Sequence, residues 1–330
     1  MQLGSIFITG ATGFWGSNFV CEVVRKYPDV RVVCLVKDKI NSNQSLLFDP
    51  EIWPNLNVVF GDLLDYHSIE RIVTDYEIET IVNFASVSIV RICEDNPLYA
   101  LNVNVIGTGI LAEIARNHKK VKHLVTISSD KAYSDSFLPY VEDVSPLKGK
   151  RPYEATKSLC DLWCQMYQYN YGVPITVVRS ANLFGPGDPN MSRLIPQSCA
   201  RLVKNESPFL WSDAAEYIRE FVYIDDAVDF ILNLIKKGQE SPEIIKDCYN
   251  LGTGEIFKIK DLVNRLIKVS GKDIDIEIKD KEFSFAEIPE QYLSLKKSEE
   301  KLGWKAKFVG EQFDVALVNT YNYYYDLINR

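Results

Sequence analysis

Hydrophobic and polar positions change period repeatedly along the first half of this chain. Short runs rich in β-branched residues read as strands: Ser5–Thr9, Arg31–Val36, Asn57–Phe60, Thr80–Phe84, His123–Ser128 and Ile175–Arg179. Between most of them lie amphipathic stretches with helical spacing, among them Gly13–Lys26, Tyr66–Tyr76 and Pro97–Asn117. A parallel strand covered on both faces is nearly apolar throughout, and crossover helices supply the cover. The rhythm predicts an α/β fold built on a doubly wound parallel sheet. After about Gly185 it loosens into loops (Gly185–Asn190, Asp280–Glu290) and mixed helices. We therefore expect a sheet domain over residues 1–182, with 225–251 packing back on it, and a smaller mixed α/β lobe over 183–330. Tyr153–Tyr171 reads differently: Leu159, Leu162, Trp163 and Met166 are apolar, but so are Cys160, Cys164, Tyr167 and Tyr171. A helix packed only on its own sheet needs one stripe, so a partner is expected for the second face.

Composition narrows the class. The 330 residues are 46% hydrophobic and 25% charged, which excludes disordered, collagen-like and disulfide-miniprotein chains. With 37 Lys+Arg against 45 Asp+Glu the net charge is −8, whereas a nucleic-acid scaffold needs a cationic face. Seven scattered cysteines and three histidines offer no metal-ligand cluster, so reduced thiols used as small apolar residues are expected, and no metal. The first 21 residues lack the basic start and apolar stretch of a signal peptide. No run approaches the ~18–20 uninterrupted apolar residues of a membrane span. The expectation is a soluble cytoplasmic protein with neither nucleic acid nor membrane as partner.

Chemistry enters with Thr9-Gly10-Ala11-Thr12-Gly13-Phe14-Trp15-Gly16, between the first strand and the first helix. Gly10 permits a tight turn, Gly13 lets backbone approach a pyrophosphate, and Gly16 allows close helix packing. The helix N-terminus adds N–H donors and a favourable dipole. With a strand before and a helix after, this is a Rossmann dinucleotide cradle. The second strand ends Lys37-Asp38. Lys37 suits the 2′-phosphate of NADP and Asp38 the ribose hydroxyls of NAD, so either cofactor stays open, with Lys37 leaning to NADP. Asp62, in Gly61-Asp62-Leu63, can accept from an adenine amino group. Downstream, Tyr153 and Lys157 lie four apart on one helix face, where an ammonium would lower the phenol pKa towards use as a general base. Ser129, Asp130 and Lys131 follow a strand end, the reactive edge of a doubly wound sheet. A hydroxyl and a tyrosine suffice to oxidise an alcohol; an additional acid and base are what elimination of water requires.

Together these segments resemble the extended short-chain dehydrogenase/reductase family, in its nucleotide-sugar 4,6-dehydratase branch. The resemblance spans TGATGFWG, GDLLD, NFAS at Asn83–Ser86, NVIGT at Asn104–Thr108, SSDKAY, YEATK, RSANLFGPG at Arg179–Gly187, REFVYIDD at Arg219–Asp226 and KLGW at Lys301–Trp304. It implies an oxidation centre of Ser129, Tyr153 and Lys157, with Asp130 as acid and Lys131 as base in the elimination. It implies cofactor contacts from Gly10, Thr12, Gly13, Phe14, Trp15 and Gly16, and from Lys37, Asp38, Asp62 and Leu63. Phe84, Ala85, Ser86, Asn104, Tyr153 and Lys157 complete that set. Asn182, Arg219 and Arg193 would meet the diphosphate of a nucleoside-diphosphate hexose. The implied product is a 4-keto-6-deoxy sugar nucleotide, formed by hydride transfer to and from the bound cofactor. Ser-Asp-Lys looks most like the CDP-glucose dehydratases and Leu35–Lys37 closer to the GDP-mannose dehydratases, so base and sugar stay open. The segment Glu287–Leu293 departs from relatives that carry a basic residue there. A homodimer built from helix Tyr153–Tyr171 and the helix around Pro97–Asn117 is also implied. Two other readings remain: a C4 epimerase, which would not need Asp130 and Lys131, and a non-catalytic dinucleotide-binding regulator.

Overall fold

Six strands follow one another through the first lobe: β1 (Ile6–Thr9), β2 (Val32–Val36), β3 (Leu56–Phe60), β4 (Thr80–Asn83), β5 (His123–Ser129) and β6 (Ile175–Ser180). Strands β7 (Asn182–Phe184), β8 (Phe209–Trp211) and β9 (Ile218–Tyr223) leave the sheet, and β10 (Cys248–Leu251) returns to pair with β6. The structure is a computed structural model and describes residues 3–37, 46, 49–280 and 287–329. Its seven-stranded sheet runs β3-β2-β1-β4-β5-β6-β10 with every pairing parallel. The order reverses between β1 and β4, and ligands bind beyond the carboxyl ends of the strands at such a crevice.

The helices of this lobe are α1 (Phe14–Lys26), α2 (Tyr66–Asp75), α3 (Val90–Asp95), α4 (Pro97–Leu101), α5 (Thr108–Asn117) and α6 (Pro152–Tyr171). Those after it are α7 (Leu194–Val203), α8 (Ile224–Glu240), α9 (Ile259–Ser270), α10 (Lys296–Leu302) and α11 (Glu311–Asn329). Strand alternation explains the layers. Ile6 and Ile8 of β1 join α1 and α8 in one apolar cluster, while Phe7 joins α2, α5 and α6 in another. Between α4 and α5 the backbone forms a π-helical turn, Asn102–Gly107. Pro97–Asn117 is thus continuous as predicted but changes pitch at its middle, a distortion common at functional sites. By length and composition alone this stretch is apolar enough to cross a membrane. In the fold Leu111, Ala112, Ile114 and Ala115 are core residues, and Leu98, Tyr99 and Ile106 are exposed.

The second lobe is built around β9. Strand β11 (Ile256–Lys258) pairs antiparallel on one edge; β7 and the two-residue β13 (Glu290–Gln291) pair parallel along the other. A separate parallel pair joins β8 to β12 (Glu277–Lys279). Phe313 packs against Phe184 and Phe257 with tilted rings, centroids 5.1 and 4.7 Å away, and their cluster is continuous with the α1 and α8 face of the sheet. The two lobes therefore share one core. Across the sheet from it, α6 is fastened to β6 by a fully buried ion pair: Arg179 Nε and Nη2 donate to Asp161 Oδ2 and Oδ1 at 2.7 and 2.9 Å. Leu159, Leu162 and Trp163 remain about half exposed on the other side of α6, uncovered by the second lobe.

Candidate active site

The cradle forms because space requires glycine at two of its three glycine positions, Gly10 and Gly16. Gly10 has φ +67°, and a Cβ there would lie 2.5 Å from the backbone N of Ala85. At Gly16 a Cβ would lie 2.2 Å from Gly10 O, so α1 can approach the turn only without one. Gly13 is the exposed N-cap of α1; no side chain caps its amides and no acidic residue stands in its first turn. Open N–H groups, a positive dipole end and no competing carboxylate suit a pyrophosphate. Beneath the cradle, Asn83 at the end of β4 accepts from Thr9 Oγ1 (2.6 Å) and Ala85 N (3.2 Å) and donates to Thr108 and Thr126. This buried amide ties β1, β4, β5 and α5 together. The motif NFAS contains it, but nothing in the sequence marked it as the tie.

A cavity of about 630 Å³ opens beyond the strand ends. Of the sequence-predicted residues it gathers Gly10, Gly13, Phe14, Trp15, Gly16, Phe84, Ser86, Ser129, Asp130, Lys131, Tyr153, Lys157, Asn182, Arg193 and Arg219. Ser86 Oγ, Trp15 Nε1 and Asp130 Oδ2 are buried without a hydrogen-bond partner, polar atoms that a dinucleotide and a sugar would satisfy. A larger groove of about 1310 Å³ lies at the opposite end of the sheet, around His123 and Pro174, and contains none of these residues.

Other expectations are placed elsewhere. Asn104 lies behind the cavity, where its amide accepts from Val87 N (2.7 Å) and donates to Val87 O and Thr156 Oγ1. It fastens the π-helical turn to α6 rather than lining the site, because its hydrogen-bonding capacity is spent. The Leu63 side chain is core, packed beneath Gly107. Thr12 and Ala85 flank the cradle outside the cavity lining. Lys37 sits at the end of β2 in an ion pair with Asp62 at 3.1 Å, its ammonium also 5.7 Å from the Tyr99 ring centre. Asp62 Oδ1 accepts from Leu64 N, which holds its carboxyl below the usual range. Asp38 lies outside the described residues.

The candidate catalytic groups are arranged by the end of β5 and the start of α6. Ser129 caps a short 3-10 turn, Asp130–Tyr133; its Oγ donates to Asp130 Oδ1 at 2.9 Å and accepts from Lys131 N. Lys157 Nζ donates to Ile127 O at 2.8 Å and lies 5.9 Å from the Tyr153 ring centre. Burial pushes the Tyr153 phenol up to about 12, against a hydrogen bond with Ser129 that pulls it down. Burial thus acts on the phenol against the expected depression by Lys157, whose ammonium burial also disfavours. Burial also raises the Asp130 carboxyl above its ordinary range, with Lys131 opposing it, and lowers the Lys131 ammonium, with Asp130 opposing it. Lys131 Nζ donates to Gln291 Oε1 at 2.9 Å.

The diphosphate candidates are occupied by protein groups. Arg219 donates to Ile218 O, Pro289 O and Ile288 O, at 2.6–3.0 Å, so its fork grips the segment ahead of β13. Arg193, the N-cap of α7, pairs with Asp188 at 3.1 Å and donates to Ser88 Oγ, while Asn182 Nδ2 donates to Glu220 O. Glu220, Glu287 and Gln291 lie in segments the sequence singled out, REFVYIDD and Glu287–Leu293, but drew no individual role there, since their importance arises from contacts more than thirty residues distant.

Residues 6–252 match the model of the NAD dependent epimerase/dehydratase family. A dTDP-glucose 4,6-dehydratase of Mycobacterium tuberculosis is 30% identical over 237 residues, covering 71% of this chain and 69% of the relative. A trifunctional UDP-glucose 4,6-dehydratase/UDP-4-keto-6-deoxy-D-glucose 3,5-epimerase/UDP-4-keto-L-rhamnose-reductase of Arabidopsis thaliana is 28% identical over 277 residues, 83% of this chain. The chain spans only 41% of that relative's length. Among solved structures, a dTDP-glucose 4,6-dehydratase of Streptomyces venezuelae with NAD bound superposes with a TM-score of 0.84 at 26% identity, covering 98% of this chain and 97% of the other. A UDP-glucose 4-epimerase of Thermotoga maritima with UDP-glucose gives 0.85 at 25%, covering 98% and 99%. With the glycine cradle, the β1–β4 crevice and three quarters of its length matched to one family model, this chain belongs to the NAD dependent epimerase/dehydratase family.

Proposed function

We propose that this chain is a nucleoside-diphosphate-hexose 4,6-dehydratase working with a bound nicotinamide dinucleotide. The observation that carries this reading is the Asp130–Lys131 pair beside Ser129 and Tyr153, with Asp130 buried, one of its carboxyl oxygens unpartnered, and Lys131 largely enclosed. Oxidising a sugar hydroxyl does not need that pair, whereas eliminating water does. Ser129 and Tyr153 hold the C4″ hydroxyl and take its proton. The ketone then formed acidifies C5″; Lys131 as the neutral amine removes that proton, and Asp130 delivers its own to the departing C6″ hydroxyl, which leaves as water. A bound dinucleotide would accept the C4″ hydride and return it to C6″, Lys131 giving its proton back to C5″, and its oxidised ring would add positive charge that favours the Tyr153 phenolate. NAD is the dinucleotide bound in the solved dehydratase relative, and the Asp62 carboxylate facing Lys37 supports NAD over NADP here. Arg193, Asn182 and Arg219 border the sugar end of the cavity and would exchange their present partners for a diphosphate, which suits guanidinium forks.

Incubation with dTDP-, UDP-, CDP- and GDP-glucose, followed by product mass, tests the reading. Loss of one water is expected from at least one of them. The similarity to the T. maritima epimerase favours a second reading, C4 epimerisation, which would leave mass unchanged and invert C4″. The exposed apolar residues of α4–α5 (Leu98, Tyr99, Ile106) and α6 (Leu159, Leu162, Trp163) support a homodimer through these helices. Gel filtration should give a dimer for the wild type and a monomer for Trp163→Glu.

A further inference from the structure

Gln291 reaches the reaction centre from 160 residues away in sequence. Its side chain is fully buried, and its Oε1 accepts from Lys131 Nζ at 2.9 Å. The strand that delivers it is two residues long, too short to hold its own register, and β9 holds it from both sides. Arg219 donates to Ile288 O and Pro289 O just before β13, and Glu220 Oε2 accepts from Leu293 N just after it. Adjacent residues of a strand face opposite ways, so one strand can clamp both ends of the segment. Tyr140, which exchanges backbone hydrogen bonds with Tyr292 and Ser294, adds a third fixing point. The segment is built to place residue 291.

We propose that Gln291 is a positioning residue for the elimination step, aiming Lys131 Nζ with an uncharged acceptor that leaves the amine able to act as a base. This rests on the role given to Lys131 above. The charged groups facing Lys131 are Asp130 on its own turn, Glu154 on α6, Glu287 ahead of β13 (3.9 Å from Nζ) and Arg219 on β9. The carboxyl groups favour ammonium; burial and Arg219 favour the neutral amine. A carboxylate in place of the amide, at 2.9 Å, would shift that balance to the ammonium.

Two variants and two readouts test this, with dTDP-glucose and UDP-glucose as probes. In Gln291→Glu the acid limb of the rate of water loss should move up by about one pH unit or more. The pH dependence of Lys131 acetylation by acetic anhydride, read by mass spectrometry on substrate-free protein, should move in the same direction. Gln291→Met, similar in shape but lacking the strong acceptor, should keep KM within about twofold and lose about tenfold or more in kcat. In a Lys131→Ala background Gln291→Glu should have no further effect on the pH profile. An unmoved acetylation profile in Gln291→Glu, or a wild-type kcat in Gln291→Met, overturns the proposal. A Lys131→Ala chain that dehydrates at the wild-type rate instead overturns the function given to Lys131, whatever the acetylation profile shows.

Discussion

Asp130 and Lys131 are sequence neighbours on which burial acts in opposite senses, favouring the protonated carboxyl and the neutral amine. Those are the forms elimination uses. Water loss should therefore follow a bell in pH, rising as Lys131 loses its proton and falling as Asp130 loses its own. The stability sign for Asp130 follows from the same shift. Its folded pKa lies above the unfolded one, so the stability linked to its proton is complete below the unfolded pKa. That stability is lost as pH rises towards the folded value. Asp130→Asn should accordingly melt no lower than wild type at neutral pH while losing about 10²–10⁴-fold in water release. Melting and product mass measured on one preparation check both halves; a lower melting temperature would make Asp130 a structural residue. Lys37 faces Asp62, and with the dinucleotide placed as proposed an incoming 2′-phosphate would meet that carboxylate. Titrations with NAD and NADP should show Asp62→Asn shifted towards NADP by about fivefold, since an exposed pair of this kind contributes up to about 1 kcal/mol. An unchanged ratio would remove Lys37 from cofactor selection.

At the scale of elements, the cradle depends on how near α1 comes to the turn after β1. Gly10→Ala combines a positive φ with a Cβ 2.5 Å from Ala85 N, so the turn must move away from the end of β4. We expect a loss of about 1–3 kcal/mol in chemical denaturation and of dinucleotide binding in calorimetry. Retention of both would mean that the turn relaxes freely. The strand and helix limits were legible because burial on both faces leaves an unbroken apolar run: the predicted strands match those found to within one or two residues. The π-helical turn was not legible. Asn104 within it bonds Val87 and Thr156, which lie outside that helix, and amphipathic spacing carries no trace of such partners. Strand β13 was equally hidden, because two residues make no periodicity and its register comes from Arg219 and Glu220.

For the whole molecule, the buried Asp161–Arg179 pair links the helix that carries Tyr153 and Lys157 to the strand next to β5. Asp161→Ala would strand a guanidinium in the core, also bonded to Tyr133 OH and Glu142 O, at a cost of about 3–5 kcal/mol. Denaturant titration should show that loss, and an undiminished midpoint would mean that water reaches Arg179. The apolar residues of α6 illustrate a limit at this scale. The two-sided pattern was plain in the sequence, yet whether the second lobe covers both sides depended on where α7 to α11 pack. Helices α7, α9 and α11 pack on one another, while α8 packs on α1 and α10 on β10, leaving Leu159, Leu162 and Trp163 open.

Sequence by itself determined the parallel sheet, the glycine cradle and the chemical types gathered after β5, because these depend on local spacing and on which side chains shun water. Tertiary structure alone decided their working states. It buried Tyr153 and Asp130 and largely enclosed Lys131, which moves their pKa values from the ordinary ranges, and matched Lys37 with Asp62. It engaged Arg219 with the β13 segment and brought Gln291 to Lys131. Desolvation and long-range pairing depend on what the rest of the chain places around a residue, and no local pattern contains that information.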